Sequence, residues 1–129
     1  QHYRYGVVSS VSAGGVPQSA IVGIAIMPEL EIIFDTLSST RKYANLTRNP
    51  ACSLVIGEGE QTVQLEGTAF ELHDQERSRY FEAYFAAWPE CRAHLEWPGI
   101  THFVVRPTWI RYSDFDQRPP LIEEVEGLP

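Results

Sequence analysis

Apolar and polar residues alternate along this chain in short segments, most of which are separated by glycine, proline or asparagine residues. Alternation with a period of two is typical of strands that bury one face. In residues 61–72, Val63 and Leu65 point to one side, whereas Gln64 and Glu66 point to the other. The pattern predicts about seven strands, at residues 5–11, 18–27, 30–35, 52–56, 61–72, 101–106 and 108–115.

The alternation slips at Gly67. Beyond this glycine the apolar positions move to Phe70 and Leu72. A slip of this kind at a glycine predicts a β-bulge and a sharp bend, as at the corners of closed barrels. Further along, Pro107 separates the last two predicted strands.

Two segments have helical character instead. The first covers residues 40–49 and stops before Pro50, which ends helices well. The second follows Asp74, a good N-cap, and runs to about Trp88. Its aromatic residues at positions i, i+4 and i+8 predict packing in a core or against a dimer partner. Residues 90–98 are expected to form a short helix or an irregular crossover.

These elements favour a mainly β fold, an antiparallel barrel with inserted helices. A parallel α/β fold would need helices that alternate with the strands, and the order of elements lacks them. With 129 residues, 43% of them hydrophobic, the chain has the size of one domain, residues 1–129. Residues 117–129 are acidic and contain prolines, so we expect an extended tail that lies on the surface or on a partner.

The net charge of −7 narrows the choice of ligands. Nucleic-acid binding is not expected, because it needs clustered basic residues. The longest apolar run, residues 20–27, is too short to cross a bilayer, so no membrane partner is expected either. A small phosphorylated ligand suits an acidic protein better than a charged polymer.

The cysteines and histidines predict neither a disulfide nor a metal site. Cys52 and Cys91 are the only cysteines, and no secretory leader is recognisable, which together predict a reducing cytoplasm. Cys91 and His94 form an isolated C-x-x-H pattern. A zinc site needs about four ligands, so the prediction is that no metal binds.

The most informative charges lie at the start of the first predicted helix. Thr40 is followed there by Arg41 and Lys42, although the first turn of a helix favours acidic side chains. Lys42 is the only lysine in the chain, so lysine is not a routine surface residue here. The basic pair is favourable around an anion such as a phosphate. The alternative is a solvated basic pair at a helix end.

The segment Ile33–Pro50 carries the pattern IFDT-x4-RK-x2-NL-x2-NP, and further similarity runs from the first hairpin to WIRYSDF at residues 109–115. In these features the chain resembles the pyridoxamine 5′-phosphate oxidase-like, FMN-binding split-barrel proteins. The resemblance implies an antiparallel split β-barrel of Greek-key type, with about six to seven strands and two or three inserted helices. It also implies a homodimer with the cofactor at the interface.

The resemblance assigns the phosphate site to the first helix and the strand before it. Arg41 and Lys42 would hold the phosphate of FMN, and Thr40 would add a hydroxyl group. Asp35 and Thr36, at the end of the preceding strand, would contact the ribityl chain or the phosphate.

The resemblance assigns the flavin ring to two other strands. Ala20, Ile21 and Val22 would line the isoalloxazine ring, mainly through backbone groups. Thr62 would reach the flavin of the partner subunit. Backbone N–H groups near the ring tune its electronics, so no catalytic side chain is assigned.

The resemblance predicts an FMN-dependent oxidoreductase that transfers hydride or electrons to a small organic substrate. The alternatives are a non-catalytic flavin-binding or sensor module, a deazaflavin-dependent reductase of the same fold, and a structural dimer that has lost its ligand. The fold also includes haem-binding members. The C-terminal residues PLIEEVEGLP lack the arginine-rich motif of the vitamin enzyme, so pyridoxamine phosphate is not expected as the substrate.

Overall fold

The computed structural model describes residues 4–73 and 77–126. The strands in this part of the chain are β1 (Tyr5–Val11), β2 (Pro17–Gly23), β3 (Ala25–Ile26), β4 (Ile32–Leu37), β5 (Ala51–Glu58), β6 (Gln61–Glu71), β7 (Ile100–Asp114) and β8 (Leu121–Glu126). The helices are α1 (Arg41–Arg48), α2 (Arg77–Ala87) and a 3₁₀ helix (Pro89–Glu96). Asp74, the predicted N-cap of the second helix, lies outside the described residues.

The strands form one curled antiparallel sheet. Its order is β2-β1-β5-β6-β7-β4-β3, and β8 pairs with β7 beside this path. Every strand pair is antiparallel. The predicted mainly β fold, an antiparallel split barrel with inserted helices, is confirmed.

The predicted bulge lies in the pair formed by β6 and β7. The register of this pair shifts between Glu66 and Gly67. A Cβ atom at Gly67 would collide with the carbonyl oxygen of Arg106, so this close approach requires glycine. The predicted division at Pro107 is wrong, because Ile100–Asp114 is one continuous strand. Pro107 lies opposite Gly67, at the bulge, where its missing N–H interrupts no regular ladder.

The sheet has an apolar core on each side. The first core is Val8, Val22, Ile24, Ile32, Phe34, Leu46, Cys52, Leu54, Ile56, Leu65, Ala69, Phe103 and Val105. The second core packs α2 and the 3₁₀ helix against the other face, and includes Ile33, Val104 and Cys91. The predicted packing of the aromatic residues is confirmed, since Tyr80, Tyr84 and Trp88 all belong to the second core.

The predicted strand 18–27 is interrupted where this second core meets the backbone. β2 ends at Gly23, and a Cβ atom there would lie 2.7 Å from the Trp88 ring. The indole N–H of Trp88 donates a hydrogen bond of 2.9 Å to the carbonyl oxygen of Ile24. The ring therefore packs directly on the chain between β2 and β3.

Helix α1 has the predicted position. Thr40 is its N-cap, Asn49 is its C-cap, and its first turn contains no acidic residue. At its end, the Arg48 guanidinium group donates a hydrogen bond of 2.7 Å to the carbonyl oxygen of Val11. This bond ties α1 to the end of β1, so the helix lies across the first hairpin.

The tail adds a strand to the sheet of its own chain. Leu121–Glu126 pairs with β7, and Arg111 lies 3.6 Å from Glu124 across this pair.

Among the helices of the described residues, none has the length and apolar character needed to cross a membrane.

Candidate cofactor-binding cleft

A cleft of about 200 Å³ lies between the start of α1 and the β1–β2 hairpin. Its walls are Val8, Ser10, Gln18, Ser19, Ala20, Thr40, Arg41 and Lys42. The walls meet because the buried Asn45 of α1 donates hydrogen bonds to Ser10 at 3.0 Å and to Gln18 at 2.9 Å. The cleft therefore brings together four residues predicted to bind the cofactor: Ala20, Thr40, Arg41 and Lys42.

Thr40 shapes the first turn of α1. Its hydroxyl donates a hydrogen bond of 2.9 Å to the Leu37 carbonyl oxygen and accepts one of 3.4 Å from the Tyr43 amide. The Thr36 hydroxyl lies 2.9 Å from the Thr40 hydroxyl. The first turn of a helix leaves several N–H groups without intrahelical partners, so the cap at Tyr43 still leaves donors for a ligand.

Arg41 and Lys42 carry the positive charge at the cleft. In the part of the chain that the structure describes, neither Arg41 nor Lys42 forms a salt bridge. By contrast, the Arg106 guanidinium group pairs with the Glu31 carboxylate at 2.9 Å. Partial burial lowers the pKa of Lys42, and the charge of Asp35 partly offsets this effect. A partly desolvated ammonium group is stabilised by a nearby anion, so the cleft favours an anionic ligand.

Strand geometry separates the three predicted residues of β2. Ala20 lines the cleft. Ile21 points to the opposite face of the sheet and is 73% exposed, whereas Val22 is buried in the first core. The predicted contacts of this strand with the flavin ring, which use backbone groups, stay a prediction.

The sequence did not single out Gln18, Ser19 or Ser10, although all three line the cleft. Gln18 shares a period-of-two face with Ala20, and this relationship is the signal that could have found it. Its bond to Asn45 joins residues far apart in the chain and leaves no local trace in the sequence.

Asp35 and Thr36 diverge, because successive residues of a strand point to opposite faces. Thr36 is buried beside Thr40, next to the cleft. The Asp35 carboxylate instead lies 3.1 Å from the Nδ1 atom of His94, on the side of the sheet covered by α2 and the 3₁₀ helix. The structure thus brings Thr36 to the start of α1 and pairs Asp35 with a histidine.

Thr62 lies away from the cleft. It pairs with Gly57 of β5 and with Ser113 of β7, and it is not among the residues that line the cleft of its own protomer. Its predicted contact with the flavin of a partner subunit stays a prediction.

An exposed apolar stripe crosses β2, β1 and β5, and consists of Ile21, Val7 and Val55. Val7 lies opposite Ile21 on one side and opposite Val55 on the other. Ile21 is 73% exposed and Val55 is 49% exposed. The three side chains form one continuous row on this face of the sheet.

The fold and the cleft place the protein among the antiparallel split-barrel proteins. The family model described as pyridoxamine 5′-phosphate oxidase matches residues 1–114. The chain therefore belongs to the pyridoxamine 5′-phosphate oxidase family, and the predicted family is confirmed. No curated protein matches the chain.

Solved structures share this fold. A heme binding protein from Mycobacterium smegmatis has a TM-score of 0.82 at 16% identity, over 96% of this chain and 53% of its own. A pyridoxamine 5′-phosphate oxidase-related, FMN binding protein from Nostoc punctiforme PCC 73102 has a TM-score of 0.73 at 13% identity, over 95% and 87%. A protein of unknown function from Agrobacterium tumefaciens str. C58 has a TM-score of 0.78 at 19% identity, over 85% and 51%.

The chain spans about half the length of the mycobacterial and Agrobacterium proteins. At these identities, the similarity to the solved structures shows the fold alone.

Proposed function

We propose that the chain binds FMN at the cleft and acts as an FMN-dependent oxidoreductase that passes hydride or electrons to a small organic substrate. The proposal rests on Arg41 and Lys42, which face the cleft at a helix start and form no salt bridge within the described residues. A phosphate group would supply an anionic partner for these two positively charged side chains. Membership of the family supports the same choice of ligand.

Each residue at the start of α1 has a distinct role in holding a phosphate. The Arg41 guanidinium group would donate two parallel hydrogen bonds to phosphate oxygens, and Lys42 would act as a compact point charge. The N–H groups of the first turn and the helix dipole add to the attraction. The Thr40 hydroxyl lies beside them and would donate to a phosphate in place of its bond to the Leu37 carbonyl oxygen.

The size of the cleft argues for a second subunit. Its volume of about 200 Å³ is below the range of roughly 300–1,000 Å³ for typical small-molecule sites. One protomer would hold the phosphate and the ribityl chain, and the flavin ring needs a further wall. In a homodimer formed through the apolar stripe, the partner subunit would reach around the edge strand β2, where Ile21 lies next to Ala20 of the cleft, to supply that wall and place the cofactor at the interface. Thr62 is then the residue that reaches across to the second flavin.

FMN, when bound, supplies hydride and electron transfer. The residues of this chain bind and orient it. β2 is the last strand at one side of the sheet, so its outer edge presents backbone N–H groups that pair with no other strand of the described sheet. The small side chains of Ser19 and Ala20 let a ring approach this edge closely, where N–H groups would tune the electronics of the flavin.

A second candidate is a flavin-binding or sensor module without catalysis. The walls contributed by β1 and β2 carry no ionisable side chain: Val8, Ser10, Gln18, Ser19 and Ala20. The same basic pair would also hold a phosphorylated deazaflavin, which would make the protein a deazaflavin-dependent reductase.

Cys52 and Cys91 are free thiols, so we place all these functions in the reducing cytoplasm.

Titration of the purified chain with FMN, a deazaflavin and haem, each followed by visible absorbance, tests the cofactor. Saturable binding of FMN supports the proposal, and failure to bind either flavin contradicts it. Rapid reduction of bound FMN by NAD(P)H, with turnover on an added acceptor, distinguishes an oxidoreductase from a carrier or sensor.

A further inference from the structure

A second group of reactive side chains lies on the other side of β4 from the cleft. The Asp35 carboxylate, the Cys91 thiol and the His94 imidazole each offer one ligand atom, and these atoms all lie within 4.8 Å of one another. The residues are far apart in the sequence, so the fold creates this group. None of them lines the FMN cleft.

Local backbone geometry explains why the three side chains meet. Cys91 and His94 lie three residues apart on the 3₁₀ helix, and in such a helix residues i and i+3 project from the same side. Asp35 shares its face of β4 with Ile33, which packs in the second core beneath this helix. The isolated C-x-x-H pattern thereby gains a third donor that the sequence alone did not show.

The imidazole is held in place. Its Nδ1 atom lies 3.1 Å from an Asp35 oxygen, and its ring stacks on Trp97 at a centroid distance of 3.9 Å and an angle of 22°. The side chains of His94 and Asp35 are 25% and 21% exposed, so a dissolved ion can reach them. Cys91 lies deeper and is 9% exposed.

The charges around Asp35, Cys91 and His94 also allow a cation to bind. Among the described residues, His94 is the only basic side chain in salt-bridge contact with Asp35. Arg79 and Arg106 are instead engaged with Glu31. The charge of Asp35 also raises the pKa of Lys42, but within the described residues the two side chains form no salt bridge.

We propose that Asp35, Cys91 and His94 bind a divalent transition metal ion of the Zn²⁺ type. A thiolate, an imidazole and a carboxylate together suit Zn²⁺, whereas Mg²⁺ and Ca²⁺ prefer oxygen ligands alone. Binding replaces the proton of the Cys91 thiol by the metal and releases that proton to solvent. Three protein ligands leave the fourth tetrahedral position to water.

The required movement is small. Bonds of about 2.0–2.3 Å in a tetrahedral site place ligand atoms roughly 3.3–3.7 Å apart. The ligand atoms lie within 4.8 Å of one another, so they must approach by about 1 Å, and the side-chain hydrogen bonds of the Tyr84 hydroxyl with Asp35 and Cys91 must break. The stacking of Trp97 keeps the imidazole oriented during this change.

The test uses the full chain, freed of metal with a chelator, under reducing conditions and without flavin. Titration with Co²⁺ should produce the near-ultraviolet charge-transfer band of a cobalt–thiolate bond, saturating at one ion per chain. Added Zn²⁺ should displace the cobalt and abolish the band. Because no flavin is present, the outcome is independent of the proposed FMN site.

Variants identify the ligands. Cys91→Ser should lose the charge-transfer band, and His94→Gln and Asp35→Asn should each bind Co²⁺ at least about 10-fold more weakly. Cys52→Ala and His73→Gln are the matched controls and should keep the band. Zn²⁺ should raise the Tm of the native chain and of both controls, but not that of His94→Gln.

Two results would overturn the proposal. The first is the absence of a thiolate band when the native chain is titrated with Co²⁺. The second is a band that survives in Cys91→Ser and disappears in Cys52→Ala. If a ligand variant does not fold, the titrations of the native chain and the two controls still decide between these outcomes.

Discussion

The side-chain amide of Asn45, on α1, donates a hydrogen bond of 2.9 Å to the side-chain oxygen of Gln18, on β2. The same nitrogen donates to the Ser10 hydroxyl at 3.0 Å, and Asn45 is 4% exposed. These bonds hold the helical wall of the cleft against the hairpin wall. The geometry of the cleft thus depends on a buried residue that does not line it.

Replacement of Asn45 by alanine should therefore affect both stability and binding. It leaves the buried Ser10 hydroxyl and the partly buried Gln18 amide without their partner, which costs about 1–3 kcal/mol. We expect that loss in the free energy of unfolding measured with urea, together with weaker FMN binding. Thr47→Ala is the control, because Thr47 is exposed and bonds only to carbonyl groups of its own helix in the described structure. Equal effects of the two substitutions would contradict the role of Asn45.

Gly67→Ala tests the bulge at which the sheet bends. The added Cβ atom would collide with the Arg106 carbonyl oxygen, and backbone cannot yield as a flexible side chain does. We expect a loss of about 1–3 kcal/mol in the free energy of unfolding. Gly14→Ala is the matched control, since the nearest atom, Ser12 Oγ, lies 4.0 Å from the added carbon. A Gly67 variant as stable as the Gly14 variant would show that the strands can separate there.

Ile21→Glu tests the proposed homodimer. Ile21 is 73% exposed, so the substitution should leave the fold of a protomer intact while placing a charge in the apolar stripe. We expect a monomer in analytical ultracentrifugation and weaker FMN binding, because the flavin ring loses its second wall. Val16 is an exposed apolar residue outside the stripe, so Val16→Glu should remain a dimer like the native chain. A native dimer that survives in Ile21→Glu would exclude this surface as the interface.

The buried Cys52 thiol should make the free energy of unfolding depend on pH. Burial raises its pKa from 9.0 to about 12, so the unfolded chain releases the proton at a lower pH than the folded chain. The contribution of Cys52 to the free energy of unfolding is full below pH 9. It is lost as the pH rises towards 12, by about 1.4 kcal/mol per pH unit. Urea unfolding across this range should give a smaller slope for Cys52→Ala than for the native chain.

Leu54→Val controls for the loss of packing in that experiment. It removes a buried methylene group from the same strand but keeps the thiol, so its slope against pH should match that of the native chain. Identical slopes for Cys52→Ala and Leu54→Val would show that the thiol does not titrate differently in the folded and unfolded states.

The parts of the molecule that sequence predicted well depend on local patterns. The bounds of α1 follow from Thr40 and from the Asn49-Pro50 pair, which lie next to the helix in the chain. The bulge at Gly67 left a slip in the period of two. The basic pair at the start of α1 could be recognised because the first turn of a helix usually carries acidic side chains.

The parts that sequence missed depend on contacts between distant segments. The continuity of β7 through Pro107 depends on Gly67 of β6, which lies opposite it. The contact of Asp35 with His94 joins residues 59 positions apart. The edge strand β8 depends on pairing with β7, and its acidic residues gave no strand pattern. None of these contacts leaves a mark on the neighbouring sequence.

The affinity of the double variant Arg41→Ala, Lys42→Ala for FMN tests the proposal that these two side chains hold the FMN phosphate. Arg92→Ala, Arg118→Ala is the matched control, because it removes the same charge from exposed positions outside the cleft. We predict that the first double variant loses at least about 2 kcal/mol of binding free energy, roughly 30-fold in Kd, while the control binds as the native chain does. Equal affinity of the two double variants for FMN would show that Arg41 and Lys42 do not hold the phosphate.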